Sequence, residues 1–408
     1  MATSEREQLR QRVTAAIDEH ETEVVEAAGQ IHDRPETAFQ ERFASSLLAE
    51  ALRRHGFEVE YPVGGVETAF RARKRGKGTG PTIAVLAEYD ALPEIGHGCA
   101  HNLIAASALA AALALGPAMG ELDGTFAVIG TPAEEAGGGK IALIDADVFA
   151  GVDAALMVHH AGVRSGAPAR YPAGTSLAVS DLRFEFHGKS AHAAHDPWNG
   201  ANALNAVIKL FTGIDALRQH IKPEARIHGI VTHGGSAPNV VPRYAAAEFY
   251  VRAGSQEYVH QLEEKLRKIA EGAALMTETT VEISQAAPMY FDERPSYVLG
   301  RRYTEHMRAM GMEISPEESE RGPYSTDFGN VSYLMPAATG SFAISRTPIP
   351  GHSPEVVAAA SSEYGYQQML RVSKAMALTA LDLFTEPELL AEAQDEHTHW
   401  AERYEGRQ

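Results

Sequence analysis

A single cysteine, Cys99, stands among 408 residues, so no internal disulfide can staple the fold. Positive charge is also scarce. Against 54 Asp and Glu there are only 36 Lys and Arg, a formal net charge of -18, and so acidic a chain repels phosphate backbones, which argues against nucleic acid as a partner. No run of 18 or more apolar residues is free of charge. The longest candidate, 103–119, is interrupted by Ser, Gly and Pro, so no membrane span or membrane partner is expected. The first thirty residues are acidic throughout and lack a basic stretch followed by an apolar one. No signal peptide is therefore expected, and with one thiol the expected compartment is the cytoplasm. Internal repeats and low-complexity segments are missing as well.

What is present suits a two-domain globular chain, with 44% hydrophobic and 22% charged residues. Apolar residues recur at helical spacing over 4–30, and a second helix is expected over 41–55, stopped by Gly56. Residues 57–63 look extended, and 71–80 (Arg-Ala-Arg-Lys-Arg-Gly-Lys-Gly-Thr-Gly) reads as a basic, solvated hairpin turn. Residues 81–87, 124–130 and 152–158 are short apolar runs of the kind buried in a parallel sheet. Helices are expected between them at 101–115 and 139–145. That alternation is the α/β pattern.

The texture changes after 173. Residues 177–187 alternate as a half-exposed strand. A helix at 201–218, strands at 226–232 and 245–253, a helix at 256–274 and a strand at 279–284 complete a β-α-β-β-α-β, ferredoxin-like order. The expected fold is therefore α/β: a mixed sheet flanked by helices, residues 1–173 and 289–408, interrupted by an inserted α+β domain at 174–288. The acidic last 24 residues read as a terminal helix or frayed tail.

Four segments carry chemistry. Cys99 and His101 lie in Gly-His-Gly-Cys-Ala-His-Asn before a helix, and both types suit zinc and its neighbours. Glu134 and Glu135 follow the strand at 124–130 directly, where functional groups of α/β sheets gather. His159 stands at the end of the next apolar strand, ahead of His160. His352 lies in a Pro- and Gly-rich loop. Each also has a plain reading alone: Cys99 as a small core residue, the two glutamates as an exposed loop pair, the histidines as ordinary loop residues. Together they supply five donors, three of the four segments lying at successive strand ends. The run Gly-Gly-Gly-Lys at 137–140 fails the phosphate-loop pattern, since Ile141 follows Lys140 and position 134 is not glycine.

The runs Leu-Ala-Glu-Tyr-Asp-Ala-Leu-Pro (86–93), Gly-His-Gly-Cys-Ala-His-Asn (96–102) and Thr-Pro-Ala-Glu-Glu-Ala-Gly-Gly-Gly-Lys (131–140) occur in order. They are followed by Gly-Lys-Ser-Ala-His-Ala-Ala (188–194), Pro-Trp-Asn-Gly-Ala-Asn-Ala-Leu (197–204), Gly-Gly-Ser-Ala-Pro-Asn-Val-Val-Pro (234–242) and Ser-Thr-Asp-Phe-Gly-Asn-Val-Ser (325–332). This series resembles the aminoacylase/carboxypeptidase family of dinuclear metallopeptidases. It is closest to the amidohydrolase subgroup of p-aminobenzoyl-glutamate hydrolases, indole-acetyl-amino-acid hydrolases and β-alanyl dipeptidases.

The resemblance implies two divalent ions, zinc or manganese first and cobalt or nickel next, on Cys99, His101, Glu135, His159 and His352, with Cys99 bridging. It implies Glu134 as general base, and His192 holding the oxyanion in a neighbouring subunit's active site. Asn239 and Arg252 would grip a substrate carboxylate, and the inserted domain would form a homodimer or a higher homo-oligomer. Taken alone, Arg252 also fits a surface strand, and His192 and His195 a solvated loop. The implied activity is hydrolysis of a small-molecule amide, an N-acyl amino acid or dipeptide, to release a free amino acid. A catalytically silent metal- or ligand-binding protein of the same fold is the alternative. The chain departs from the family at Ala100, usually glycine, which costs little at negative φ. It departs again at Asn102, often aspartate, which bears on the hydrogen-bond support of His101.

Overall fold

A computed structural model of the chain describes residues 3–171, 175–316, 322 and 324–405. In chain order the elements are helices α1 (Thr3–Glu19), α2 (Glu21–His32) and α3 (Arg42–Arg54), then strands β1 (Glu58–Glu60), β2 (Phe70–Arg75) and β3 (Gly78–Ala87). Then come α4 (His101–Ala118), β4 (Asp123–Gly130), α5 (Gly139–Asp145), β5 (Ala154–His160), β6 (Ala178–His187), α6 (Ala203–Leu217), β7 (Arg226–His233) and β8 (Tyr244–Ala253). The chain continues with α7 (Gln256–Met276), β9 (Thr280–Tyr290), α8 (Tyr297–Ala309), α9 (Phe328–Ser332) and β10 (Ala337–Phe342). It closes with α10 (Pro354–Ala360), α11 (Glu363–Thr385), α12 (Pro387–Thr398) and α13 (Trp400–Tyr404).

The chain divides into two compact units, one comprising 176–292 with Tyr324 and Ser325, the other the flanking segments. The boundary expected at 173/174 falls outside the described residues. In the flanking unit six strands form one sheet in the order β1-β2-β4-β3-β5-β10. β3 lies between β4 and β5 and is parallel to both, and β10 extends the parallel set. β1 and β2 are antiparallel additions. Over their buried portions the parallel strands are apolar because both faces are covered there. Ile83, Ala84, Val85 and Leu86 are fully buried, as are Phe126 and Ile129. Helix α4 is buried on nearly every face. Among the described residues, 101–121 is the one helical stretch long and apolar enough to cross a membrane, and it lies largely inside this core.

In the other unit β6, α6, β7, β8, α7 and β9 follow the expected order, and the sheet runs β7-β8-β6-β9, all antiparallel. Its core is its own: Phe184, Phe186 and Phe249 pack with Leu210, Ile214, Leu262 and Leu266.

Two local expectations change. The helix expected over 4–30 is two helices, broken at His20 (φ -98, ψ 7). The buried stripe continues across the break through Ile17, Val24, Ala28 and Ile31, so the core loses nothing. The basic segment is mostly strand rather than turn. Phe70–Arg75 is β2 and only Gly76 and Lys77 connect it to β3, from which β4 separates it in the sheet. Of the two readings of the tail, the described residues bear out the terminal helix: Pro387–Thr398 and Trp400–Tyr404 are helical, with Glu396 and Trp400 buried.

Candidate metal centre

The carboxyl ends of β3, β4 and β5 lie side by side, and the residues that follow them converge. Cys99 Sγ is 3.5 Å from His159 Nε2. The His101 and His159 rings meet edge to face at 5.7 Å. His101 Nε2 lies 3.6 Å from Glu88 Oε2, 3.9 Å from Glu135 Oε1 and 4.0 Å from Glu134 Oε2. His352, exposed and at φ 49, brings Nε2 to 3.7 Å from Glu135 Oε2. Overlapping groups close enough to share an ion are Cys99–His101–His159, Cys99–Glu135–His352 and His101–Glu134–Glu135. His159 belongs to this set and His160 does not; the His159 Nδ1 faces the His160 carbonyl at 2.8 Å, which aims Nε2 at Cys99.

A divalent cation fits this chemistry. Glu88 Oε2, His101 Nε2 and Glu135 Oε1 are buried yet make no hydrogen bond, although buried polar atoms as a rule have partners. The two carboxylate oxygens lie 3.6 and 3.9 Å from His101 Nε2, and nitrogen and oxygen donors of this kind take zinc or manganese.

The support of these groups comes from residues to which the sequence alone assigns no role. Asp90, just past β3, accepts from His101 Nδ1 and from the Glu135 backbone N–H, each at 2.9 Å. One carboxylate thus fixes the imidazole tautomer and the backbone of its neighbouring donor. Burial opposes charge on His101, but Asp90 and then Cys99 outweigh it and raise its pKa well above the usual histidine value. Asn102 does not take the supporting role: its Nδ2 donates to the Ala28 and Ala360 carbonyls, tying helices together.

The Glu134–Glu135 loop is a closed turn. Glu41, fully buried, accepts from the Ala133 N–H (2.9 Å) and the Thr68 hydroxyl (2.9 Å) and holds Ala133 at φ 60. Burial pushes the Glu41 carboxyl up to about 7. The glycine run closes the loop sterically. Gly138 adopts φ 68, and a Cβ at Gly139 would sit 1.7 Å from the Pro132 carbonyl oxygen.

Lys140 ends this run with a buried ammonium between two carboxylates, Glu88 Oε1 and Asp327 Oδ1, each at 2.6 Å; its N–H donates to Asp327 Oδ2 at 2.9 Å. Burial pushes both acids up. At Glu88 the Lys140 charge and then His101 win and hold the carboxyl below its ordinary range, whereas Asp327 rises to about 6. Burial, followed by repulsion from Glu88 and Asp327, raises Glu134 well above the ordinary carboxylate range. A sequence signal for Glu88 and Asp90 exists: they are polar residues at the end of an apolar strand.

Ala100 sits at φ 53, in the left-handed region, so the family's usual glycine has a steric reason and alanine here is strained.

The remaining candidates lie in the inserted unit. His192 is exposed; its Nδ1 accepts from the Ala194 and His195 N–H groups, at 3.2 and 3.1 Å. Nε2 is therefore the nitrogen that carries hydrogen. Asn239 is beside it, its carbonyl accepting from the Ala193 N–H at 3.0 Å. Arg252, on β8, donates to the Ser325 hydroxyl at 2.8 Å and lies 5.6 Å from the Tyr250 ring centroid.

Residues 179–277 match the peptidase dimerisation domain model of the M20 peptidases. Over 95% of this chain and 92% of the relative, the sequence is 37% identical to Xaa-Arg dipeptidase of Mus musculus. It is 32% identical to a component of the p-aminobenzoyl-glutamate hydrolase of Escherichia coli, over 94% and 93% of the two chains. A dinuclear metal-binding peptidase of the M20 family from Bacillus subtilis shares the fold, with TM-score 0.66 and 21% identity over 90% of this chain and 99% of that one. A two-unit chain with a donor cluster at parallel strand ends is the architecture of a metallopeptidase. This chain belongs to the M20 peptidase family.

Proposed function

We propose that this protein is a two-metal hydrolase that cleaves the amide joining an acyl or aminoacyl group to an amino acid with a free carboxylate. The observation that carries the reading is the sharing of Cys99 between two overlapping donor groups, beside three buried atoms without hydrogen bonds. Cys99, His101, Glu135, His159 and His352 would hold the two ions. Bound there, such ions polarise the amide carbonyl and bring the pKa of water toward about 7. Zinc or manganese suits the mixed donors, with cobalt or nickel next.

Glu134 takes the proton from the attacking water as the new C–O bond forms, and delivers it to the amine nitrogen as the C–N bond breaks. A positioned general base is typically worth about 10²–10⁴-fold. His192 presents its Nε2–H to the oxyanion in a neighbouring subunit's active site. Asn239 and the Arg252 fork bind the free carboxylate. The relatives named for Xaa-Arg dipeptides and p-aminobenzoyl-glutamate support this substrate class, since both compounds carry such an amide. The dimerisation-domain match supports a homodimer, and a ligating thiol suits a reducing cytoplasm.

The test is hydrolysis of a panel of N-acyl amino acids, p-aminobenzoyl-glutamate, β-alanyl dipeptides and Xaa-Arg dipeptides with manganese or zinc. Wild type should turn over at least one, and Glu134→Ala should lose most of kcat while still binding metal. Bound metal without turnover of any member would favour a silent binding protein.

A further inference from the structure

A second group of metal-ligand side chains lies outside the active centre, and no step of the reaction uses it. His20 occupies the break between α1 and α2, Glu23 the first turn of α2, and His55 the position that ends α3. The break turns the His20 ring toward the end of α3. The His20 and His55 rings meet edge to face, with centroids 5.1 Å apart and planes at 89°. Glu23 meets both: its Oε2 is 3.0 Å from His55 Nε2 and 3.7 Å from His20 Nδ1, and its Oε1 is 3.3 Å from His55 Nε2. The ligand atoms of all three lie close enough to share one ion.

These spacings match ligands around one tetrahedral ion. With zinc–nitrogen and zinc–oxygen bonds of about 2.0–2.1 Å, ligand atoms stand roughly 3.3 Å apart and the centroids of two bound imidazoles roughly 5 Å apart. The donors of the active centre are no closer, at 3.5 to 4.0 Å. His20, Glu23 and His55 are each partly exposed, so an ion reaches them from solvent. The local field is negative, since 18–26 holds Asp18, Glu19, Glu21, Glu23 and Glu26 and no lysine or arginine. One cation competes: Arg54 Nη2 is 3.1 Å from Glu23 Oε1. Its side chain is 62% exposed and can turn outward, and it leaves Oε2 to the two rings. Burial pushes the Glu23 carboxyl up, but Arg54 and His55 outweigh this and hold it below its ordinary range.

We propose that His20, Glu23 and His55 bind a zinc-type divalent cation, with water in the fourth position. His20 ligates through Nδ1 and His55 through Nε2, both as neutral imidazoles. Two nitrogens and one oxygen suit zinc and not magnesium, which prefers oxygen. The ion ties the junction of α1 and α2 to the end of α3, joining three helices. With three ligands and an open face it exchanges readily and is lost on desalting, unlike ions in the buried centre. The site is separate from that centre. Phe57, two residues past His55, lies against Gly116 near the end of α4, whereas His101 begins that helix, about 22 Å away along its axis.

The test is equilibrium dialysis of the metal-loaded protein against buffered free zinc, alongside its thermal midpoint. Wild type should hold one more zinc per chain than the His20→Gln/His55→Gln double variant. Zinc held by the active centre is common to both and cancels in the comparison. The wild-type Tm should rise by about 3 °C when free zinc reaches about 100-fold above Kd, with no rise in the variant. The double variant should keep the wild-type kcat, which shows that it folds. Arg54→Gln removes the rival partner of Glu23 and should bind the extra zinc about threefold more tightly. Equal zinc stoichiometry in wild type and double variant would overturn the proposal. So would an equal Tm rise with magnesium at matched ionic strength.

Discussion

Replacing Asp90 with Asn tests how the His101 donor is held. The side chain is buried and its two oxygens each accept one hydrogen bond, from His101 Nδ1 and from the Glu135 N–H. Asn has one acceptor and one donor end. If its oxygen faces His101, its NH2 meets the Glu135 N–H, donor against donor, and a buried unpaired donor costs about 1–3 kcal/mol. If the amide turns over, NH2 faces Nδ1, which must then accept; hydrogen moves to Nε2, the nitrogen that faces Glu88, Glu134 and Glu135. Either arrangement strains one donor of the centre. Loss of such a support typically lowers metal affinity by about 10–100-fold, or about 1.4–2.7 kcal/mol. Isothermal titration of metal into chelator-stripped protein measures it, with circular dichroism as the check on folding. A folded Asp90→Asn with wild-type affinity would refute the claim that Asp90 sets the His101 tautomer.

Asp382 joins α1, α8 and α11. It is buried and accepts from Arg10 (2.7 Å), Arg302 (2.6 Å) and His306 (2.8 Å). Burial pushes its carboxyl up, but His306, Arg10 and Arg302 outweigh this and hold it at about 2. A depressed carboxyl pKa stabilises the fold above the unfolded value near 4, and the contribution, about 2 kcal/mol, fades as pH falls from about 4 to about 2. Asp382→Asn should therefore lower stability in urea by about 3 kcal/mol at pH 7 and flatten the acid limb of stability against pH; an unchanged acid limb would count against it. Lys140→Met leaves Glu88 and Asp327 buried without their cation and should cost about 3–5 kcal/mol, read as a fall in the urea midpoint. Gly139→Ala drives a Cβ into the Pro132 carbonyl. It should destabilise by about 1–3 kcal/mol and reduce kcat by displacing Glu134, whereas unchanged kcat would show that the loop yields freely.

Much of the fold was legible because its signals are local. Buried parallel strands read as apolar runs, and 139–145 and 178–187 form the expected helix and strand within a residue or so. The convergence of Cys99, His101, Glu135 and His159 followed from strand ends in one parallel sheet. What the sequence hid is the long-range support. Asp327 meets Lys140 across 187 positions and Glu41 meets Ala133 across 92, and no periodicity marks such pairs. The glycine run beside Lys140 invites a phosphate-loop reading, yet its geometry serves a tight turn. The arginines of β2 read as a turn because Gly76, Gly78 and Gly80 follow closely, while the antiparallel pairing with β4 that makes them a strand lies some fifty residues away in sequence.

Metal content bears most directly on the central claim that five donors around Cys99 hold two ions. Wild type and Cys99→Ala would be stripped with chelator, reloaded with zinc or manganese, desalted and measured by plasma mass spectrometry. The account predicts two ions per chain in wild type and a clear loss in Cys99→Ala, because removing a shared donor weakens both positions. A wild type that retains no ion, or a Cys99→Ala variant that still carries two, would contradict it.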